Sequence, residues 1–462
     1  MKAIEREHPE YISRKAMWEQ HGDFYTGGEQ FKARAGNYLI RRQKEPADVY
    51  WERLNRVFYE NYIGSIIDWF AATLFRREPV LAIEGSNEPG REFFGKFTED
   101  CDLKGTNLTD FFRKVFVNAL VNGVGYVLID FPRADRQASS RAEEEMDGTS
   151  RAYLVSYAAE DIINWGKDSY GNFDWVVIRT NHWKNDSTEA DPYVETRWMY
   201  LDRTRYQVFQ KREGAPKSDP PTLISEGFHG FAKLKRVPLM DLKLTDGLWL
   251  MNKASQLQME HFNKSNALSW ALTMGLFATP VIYSDREWNQ IAGESYYIQL
   301  GPQDRFGWAE PEGKVYHIAA ENLTRLKEEI YRVCYLLSQA APADSRMVSG
   351  FSKQMDYAIT QEVLRAYGDS LKDVIRRTLR AVEEVREDSL SVHVSGLDEF
   401  DIGDFSSAID EAAKLLALGI NSPTLQKQIY KKLVFQYLSD ESQQVKDAIG
   451  GEIDEAFQKK EE

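Results

Sequence analysis

Past residue 353 the chain carries Met355, Ile359, Val363, Tyr367, Leu371, Ile375, Leu379 and Val382 at steps of three or four, with polar residues between them. That period is an α-helix with one apolar face. It predicts a helix from about Lys353 to Glu387, on the order of 52 Å long at 1.5 Å per residue. Glu362/Arg365 and Asp373/Arg377 add charge pairs at helical spacing. Leu323, Leu326, Ile330, Val333 and Leu337 repeat the pattern over about Asn322–Ser338, with Asn322 as the cap. A further helical stretch runs from Asp246 to about Met274 and is stopped by Ala278-Thr-Pro280. Nearer the start, Tyr50, Leu54, Phe58, Ile66, Trp69 and Leu74 predict one helix over 47–77, with Pro79 just past its end. Another spans 108–122, with Thr106 or Asn107 as cap and Gly123 at the exit.

Between these helices the period changes. Tyr126–Phe131, Ala152–Tyr157, Trp175–Thr180, Val194–Leu201, Tyr206–Phe209 and Thr222–Phe228 are β-rich runs separated by Gly, Pro, Asn and Asp. Residues 124–244 therefore read as an α+β region with mostly antiparallel strands. Arg133–Ser150, charged and almost without large apolar residues, reads as a mobile loop. Residues 280–318 are short, aromatic and turn-rich, and predict a small insert between helices. The tail opens with a strand at Leu390–Val394, and two helices follow, broken at Gly419-Ile-Asn-Ser-Pro423.

Charge and composition narrow the function. The chain of 462 residues has 72 Asp and Glu against 58 Lys and Arg, a net charge of −14. A protein built to grip phosphates is normally basic. Two cysteines, Cys101 and Cys334, cannot supply a disulfide framework, and Cys334 falls on an apolar helix stripe. The first residues lack the apolar core of a signal peptide, and the longest apolar stretch, Ile63–Phe75, is too short to span a bilayer, so no membrane partner is expected. No phosphate-cradling G-x-x-x-x-G-K-[ST], no H-E-x-x-H and no G-x-S-x-G occurs, and the seven histidines are scattered. Asp398–Asp404 is acidic but lacks the alternating ligands of a calcium loop, so Asp401 or Asp404 reads as the cap of a helix over Phe405–Leu418. No catalytic residue, metal site or cofactor is expected.

What remains is a polar loop, Gln339–Ser352, between two predicted helices. Taken alone it reads as an ordinary helix connection. The order around it is more specific: helix, aromatic insert, helix, loop, very long helix, small helical tail. The first eighty residues add Trp18, Gly27-Gly28, Lys32-Ala-Arg-Ala-Gly-Asn-Tyr-Leu-Ile-Arg41, Glu45-Pro46, Tyr50, Arg53, Tyr59-Glu-Asn-Tyr-Ile63 and Phe75-Arg-Arg-Glu-Pro79. Over nearly its full length the chain resembles the portal proteins of tailed double-stranded DNA bacteriophages.

That resemblance implies a helix-rich α+β fold of wing, stem, clip and crown. By position, residues 1–245 are the wing, 246–274 and 321–338 the two stem helices, and 275–320 the clip. Residues 339–352 are the tunnel loop, 353–388 the long wing helix and 389–462 a small helical crown. It implies Asp344, Ser345, Arg346, Ser349 and Lys353 as DNA-facing positions. Asp285, Arg286, Trp288, Arg305 and Trp308 become the clip surface that docks terminase and then adaptor proteins. It implies a non-enzymatic ring of twelve copies at one capsid vertex of the virion, assembled in the host cytoplasm. Double-stranded DNA would pass through it without sequence-specific contact, and major capsid or scaffold protein would surround it. The acidic balance fits a ring through which DNA must slide. Two other readings stay open: a Mg²⁺-dependent nucleic-acid-processing enzyme using Asp401 and Asp404, and a capsid scaffold or adaptor that never touches DNA. The crown of about 70 residues is short for a packaging sensor.

Overall fold

The computed structural model describes residues 4–132, 151–185, 187–188, 191–216, 219–275, 279–284, 302–303, 305–309, 313–336, 350–397, 412–418, 420, 422–437 and 443–458. The fold is α+β, rich in helix, with every paired strand antiparallel. The first helices are α1 (Pro9–Thr26), α2 (Gly28–Arg34), α3 (Ala47–Asn55), α4 (Tyr62–Leu74), α5 (Glu88–Glu99) and α6 (Leu108–Asn122). Later come α7 (Leu250–Gly275), α8 (Gly313–Val333), α9 (Gly350–Arg386), α10 (Pro423–Tyr437) and α11 (Gln443–Gln458). The strands are β1 (Val80–Glu84), β2 (Val124–Asp130), β3 (Tyr153–Ala158), β4 (Ile162–Lys167), β5 (Phe173–Lys184) and β6 (Tyr193–Asp202). They continue with β7 (Arg205–Arg212), β8 (Thr222–Phe228), β9 (Leu239–Lys243), β10 (Thr279–Tyr283), β11 (Arg305–Ala309) and β12 (Ser391–Ser395).

The chain divides into two units. The first takes Met1–Glu19, Ile67–Trp249 and Ala358–Glu462; the second takes Gln20–Ile66 and Leu250–Tyr357. Residues 20–66 thus group with residues 250–357.

In the first unit a five-stranded sheet, β4-β5-β6-β7-β8, faces a three-stranded sheet, β3-β2-β9. Alternation sets the shared core: Leu128 and Leu239 from the small sheet, and Ile162, Val176, Ile178, Leu201, Tyr206 and Val208 from the large one. Helix α6 packs on the small sheet and buries Phe111, Phe112, Val115 and Phe116. Asn107 caps it, accepting from the Asp110 N–H at 2.7 Å, and Gly123 ends it in the left-handed region at φ 82°. The later part of α9 buries Leu364, Tyr367, Leu371, Ile375, Leu379 and Val382. The Tyr367 hydroxyl donates to the Leu248 carbonyl, and its ring meets Phe70 and Phe116 edge-on. The strand expected to open the crown, β12, pairs with β1, a strand the sequence did not announce.

In the second unit Phe24, Phe31, Tyr38, Tyr59 and Phe262 form one aromatic nest, with Phe31 stacked on Tyr59 at 4.1 Å. The Asp23 carboxylate is buried against Arg34 at 2.9 Å and the Tyr38 hydroxyl. Glu45 and Arg53 make a buried ion pair at 2.7 Å. Burial by itself would raise the Glu45 pKa, but the Arg42 N–H and the Arg53 guanidinium hold it below the usual carboxylate range.

The single helix expected over 47–77 is corrected to two, α3 and α4, separated by residues 56–61. The hydrophobic period runs across the gap, but the backbone there is bonded elsewhere: Phe58 to Asn266, and the Glu60 carbonyl to Gln258. Asn61 then starts α4 by accepting the Gly64 N–H at 2.9 Å. The helix expected over about Asn322–Ser338 is also corrected, to Gly313–Val333. Asn322 is therefore inside the helix rather than its cap, and the helix stops where Tyr335 takes φ 63°. Helices α1, α2 and α5 and strands β4 and β9 were not foreseen. Residues 133–150 and the acidic run 398–404 lie outside the described residues.

Candidate functional site

Helix α7 is unusual in what it buries. Ser255, Gln258, His261, Ser265 and Asn266 are all nearly inaccessible, on the stripe where aliphatic side chains would be expected. Their bonding explains this. Gln258 donates to the Glu60 carbonyl at 2.8 Å and accepts the Ile63 N–H at 3.3 Å. Asn263 donates to the Tyr38 carbonyl at 3.1 Å and accepts the Ile40 N–H at 2.9 Å. Asn266 serves both backbone groups of Phe58, at 2.9 and 3.1 Å. Each carboxamide replaces the backbone partner that an irregular segment lacks. Residues 38–63 are thereby laced along α7.

Beside this ladder His261 Nδ1 lies 3.6 Å from Glu60 Oε2, with the Tyr62 ring edge-on to the imidazole. Burial holds the imidazole pKa below its ordinary value; Glu60 pulls it up and Lys327 pushes it down. The Tyr62 phenol is pushed up to about 12, by burial first and then by Glu60. Cys334, on the segment that follows α8, is buried, and its thiol is pushed up to about 12.

Helices α7 and α8 run antiparallel. Lys253 bonds the Tyr335 hydroxyl, Lys264 bonds Asn322 at 2.9 Å, and the Tyr316 hydroxyl donates to the Ala271 carbonyl at 3.4 Å. As the first number rises the second falls in step. Strands β10 and β11 continue the same descent, from Thr279 opposite Ala309 to Tyr283 opposite Arg305. The element is therefore a long helical hairpin that ends in a two-stranded ribbon. At the last described pair Tyr283 is 66% exposed and Arg305 is exposed beside it, an aromatic ring and a cation side by side.

The charge on the hairpin is mixed. Lys264, Lys314, Arg325, Lys327 and Arg332 are exposed, but Glu260 pairs with Lys264 at 2.9 Å and Glu329 with Arg332. Such a surface supports brief contact with a polyanion and does not amount to a gripping patch. Among the described residues no group of three His, Cys, Asp or Glu could hold a metal ion, and no helix is long and apolar enough to cross a membrane.

Of the expected clip residues, Arg305 and Trp308 both fall on β11, opposite Tyr283 and Pro280. Asp285, Arg286 and Trp288 lie outside the described residues. So do Asp344, Ser345, Arg346 and Ser349 of the expected tunnel loop, while Lys353 falls in the first turn of α9.

No protein-family model and no curated protein sequence matches the chain. Among solved structures it is similar to a chain in the neck of an empty gene transfer agent particle computed with C6 symmetry. There the TM-score is 0.43 at 12% identity, over 78% of this chain and 88% of that one. It is also similar to a chain in the virion of the native gene transfer agent particle, with a TM-score of 0.39 at 12% identity, over 84% of this chain and 93% of that one.

The carboxamide ladder was missed at the sequence level. Its signal was there: Ser255, Gln258, His261 and Ser265 recur at three- and four-residue steps, and Asn266 adjoins the last. Polar residues on that spacing, flanked by apolar ones, mark a helix face that carries backbone rather than side chains.

Proposed function

We propose that this chain is a portal protein, the DNA-conducting ring at one capsid vertex of a tailed-phage particle. The observation that carries the reading is the helical hairpin α7–α8, which ends in the β10–β11 ribbon with its pairing in register. A β-rich region precedes it in the chain and the 37-residue helix α9 follows it. In this reading α7 and α8 are the stem and β10–β11 belongs to the clip. Arg305 and Trp308, together with Asp285, Arg286 and Trp288, dock terminase during packaging and adaptor proteins afterwards. Residues 339–352 form the tunnel loop, and Asp344, Ser345, Arg346, Ser349 and Lys353 face the DNA.

The chemistry is mechanical. Non-specific affinity for DNA comes mostly from phosphate neutralisation and counterion release, so a strongly basic lining would hold the duplex rather than pass it. A chain of net charge −14, repeated around a ring, leaves only scattered cations such as Arg346 and Lys353 to touch phosphates in passing. A closed ring of identical subunits uses one heterologous interface, so each copy offers two different patches.

Negative-stain imaging of the purified protein tests the proposal. Rings with a central hole as wide as duplex DNA are expected. Deleting residues 344–349 should leave those rings intact and reduce the DNA retained by particles assembled from them. Full packaging by that variant would remove the loop from the mechanism. Mg²⁺-dependent DNA cleavage, lost on Asp401→Ala with Asp404→Ala, would replace the reading with the enzymatic one.

A further inference from the structure

The five-stranded sheet of the first unit has a second face, turned away from its core. The N-terminal segment reaches it past the edge strand β4, where the His8 N–H donates to the Ile163 carbonyl at 2.8 Å. Glu7 pairs with Arg179 at 3.0 Å. Beside that segment the face opens into a cavity of about 390 Å³. Trp175, Val177, Tyr200, Phe209 and Pro221 line it, and Ile4 and Arg6 form the wall. Arg6 is exposed and has no ion pair among the described residues.

Further along β5, Trp183 is 76% exposed. It pairs with Val194 next to the end of the β5–β6 ladder. The ladder runs without a register shift from Trp175 to Lys184, so Val177 and Trp183, six residues apart, lie on one face of the sheet. At 3.3 Å per residue they are about 20 Å apart. A rigid strand cannot fold Trp183 back into its own cavity. Just past the same end of the ladder Asp191 is exposed. Lys184 is the cation at that end. An exposed indole with a carboxylate near the same end of the ladder, and an apolar hole with an unpaired arginine on its wall, are complementary in shape class and in charge.

We propose that Trp183 of one copy seats in this cavity on a second copy, with Asp191 meeting Arg6. The inference rests on the ring reading and names two patches that the ring would use. A knob and a hole at different places on one subunit give a heterologous contact. One contact per pair leaves a free knob at one end and a free hole at the other. Two copies that satisfied both contacts face to face would stop at a dimer.

The test uses the full chain and two variants. Trp183→Ala removes the knob, and Gln207→Trp hangs an indole over the cavity from its half-buried rim. Circular dichroism and melting establish that both are folded. In sedimentation velocity each variant alone should need about tenfold or more higher concentration than wild type to associate. Mixed in equal amounts they should form a dimer that does not grow, because only one knob and one open hole remain. A Trp183→Ala protein that forms wild-type rings would overturn the contact and leave the ring reading standing. Wild-type protein that stops at dimers, weakened by both variants, would uphold the contact and overturn the ring. Monomers at every wild-type concentration, or a mixture that stays monomeric while wild type associates, would overturn the contact.

Discussion

Asn266 holds Phe58 by both of its backbone groups: Oδ1 accepts the Phe58 N–H at 3.1 Å and Nδ2 donates to the Phe58 carbonyl at 2.9 Å. One side chain thus takes the place of a strand neighbour. The pairing decides where the helical period of residues 47–77 is interrupted. Asn266→Leu leaves a backbone donor and acceptor without partners, and each such group costs about 1–3 kcal/mol. Urea denaturation should show a loss of roughly 2–4 kcal/mol. Asn266→Asp keeps the acceptor, loses one donor and should fall between wild type and Asn266→Leu. A Leu variant as stable as wild type would mean that the ladder only follows the fold.

Much of the architecture was legible in the sequence for one reason, and the failures share another. Helix α6 and the apolar stripe of α9 were readable because their side chains face a core, so spacing reports burial directly. The break at 56–61 was not, because nothing local encodes it; its cause is 200 residues away on α7. Strand β1 was hidden in the same way, since only its partner β12 reveals it. The start of α8 was misplaced because Asn322 looks like a cap by type, yet its side chain is spent on Lys264. Residues that carried the family resemblance turn out to build the second unit: Gly27 at φ 63° packs against Asn61, and Glu45 pairs with Arg53. The resemblance and the local packing therefore share those residues. Charge and spacing assigned no role to Trp183, because an exposed aromatic gains meaning only beside a cavity.

Two glycines should respond to alanine with opposite sign. A Cβ on Gly368, within α9, would overlap the Leu397 carbonyl oxygen, too close for any side chain. Gly368→Ala must push that backbone away, at a cost of about 1–3 kcal/mol or more. Gly95, within α5, has nothing within 4 Å of an added Cβ. Gly95→Ala removes only unfolded-state entropy and should stabilise by about 0.5–1 kcal/mol. Thermal melts of the two variants against wild type check both signs.

The two thiols should be silent in the native protein. Cys101 and Cys334 are buried, and burial pushes both thiols up to about 12, so almost no thiolate exists at pH 8. Iodoacetamide at that pH should label neither in the native state and both in urea. Native labelling at Cys334 faster than global unfolding would show that the segment after α8 opens on its own.

Stability should fall as the solution is acidified through the histidine range, and the sign follows from burial. His229 and His261 are held below the ordinary imidazole value of 6.5, by burial first in each case. The unfolded chain therefore binds a proton at each position before the folded one does. Stability from these groups is fully present above 6.5 and is lost progressively as pH drops toward their folded values. Asp161 works the other way, since burial raises its carboxyl and acid favours the folded form there. The carboxyls of Glu45, Asp102 and Asp202 are lowered and titrate further down. Urea midpoints between pH 7.5 and 5.5 should decline for wild type and decline less for His261→Gln. Glu60, 3.6 Å from His261, limits the effect by favouring the imidazolium, so Glu60→Gln should steepen the decline. A Glu60→Gln slope no steeper than wild type would mean that burial alone sets the His261 response.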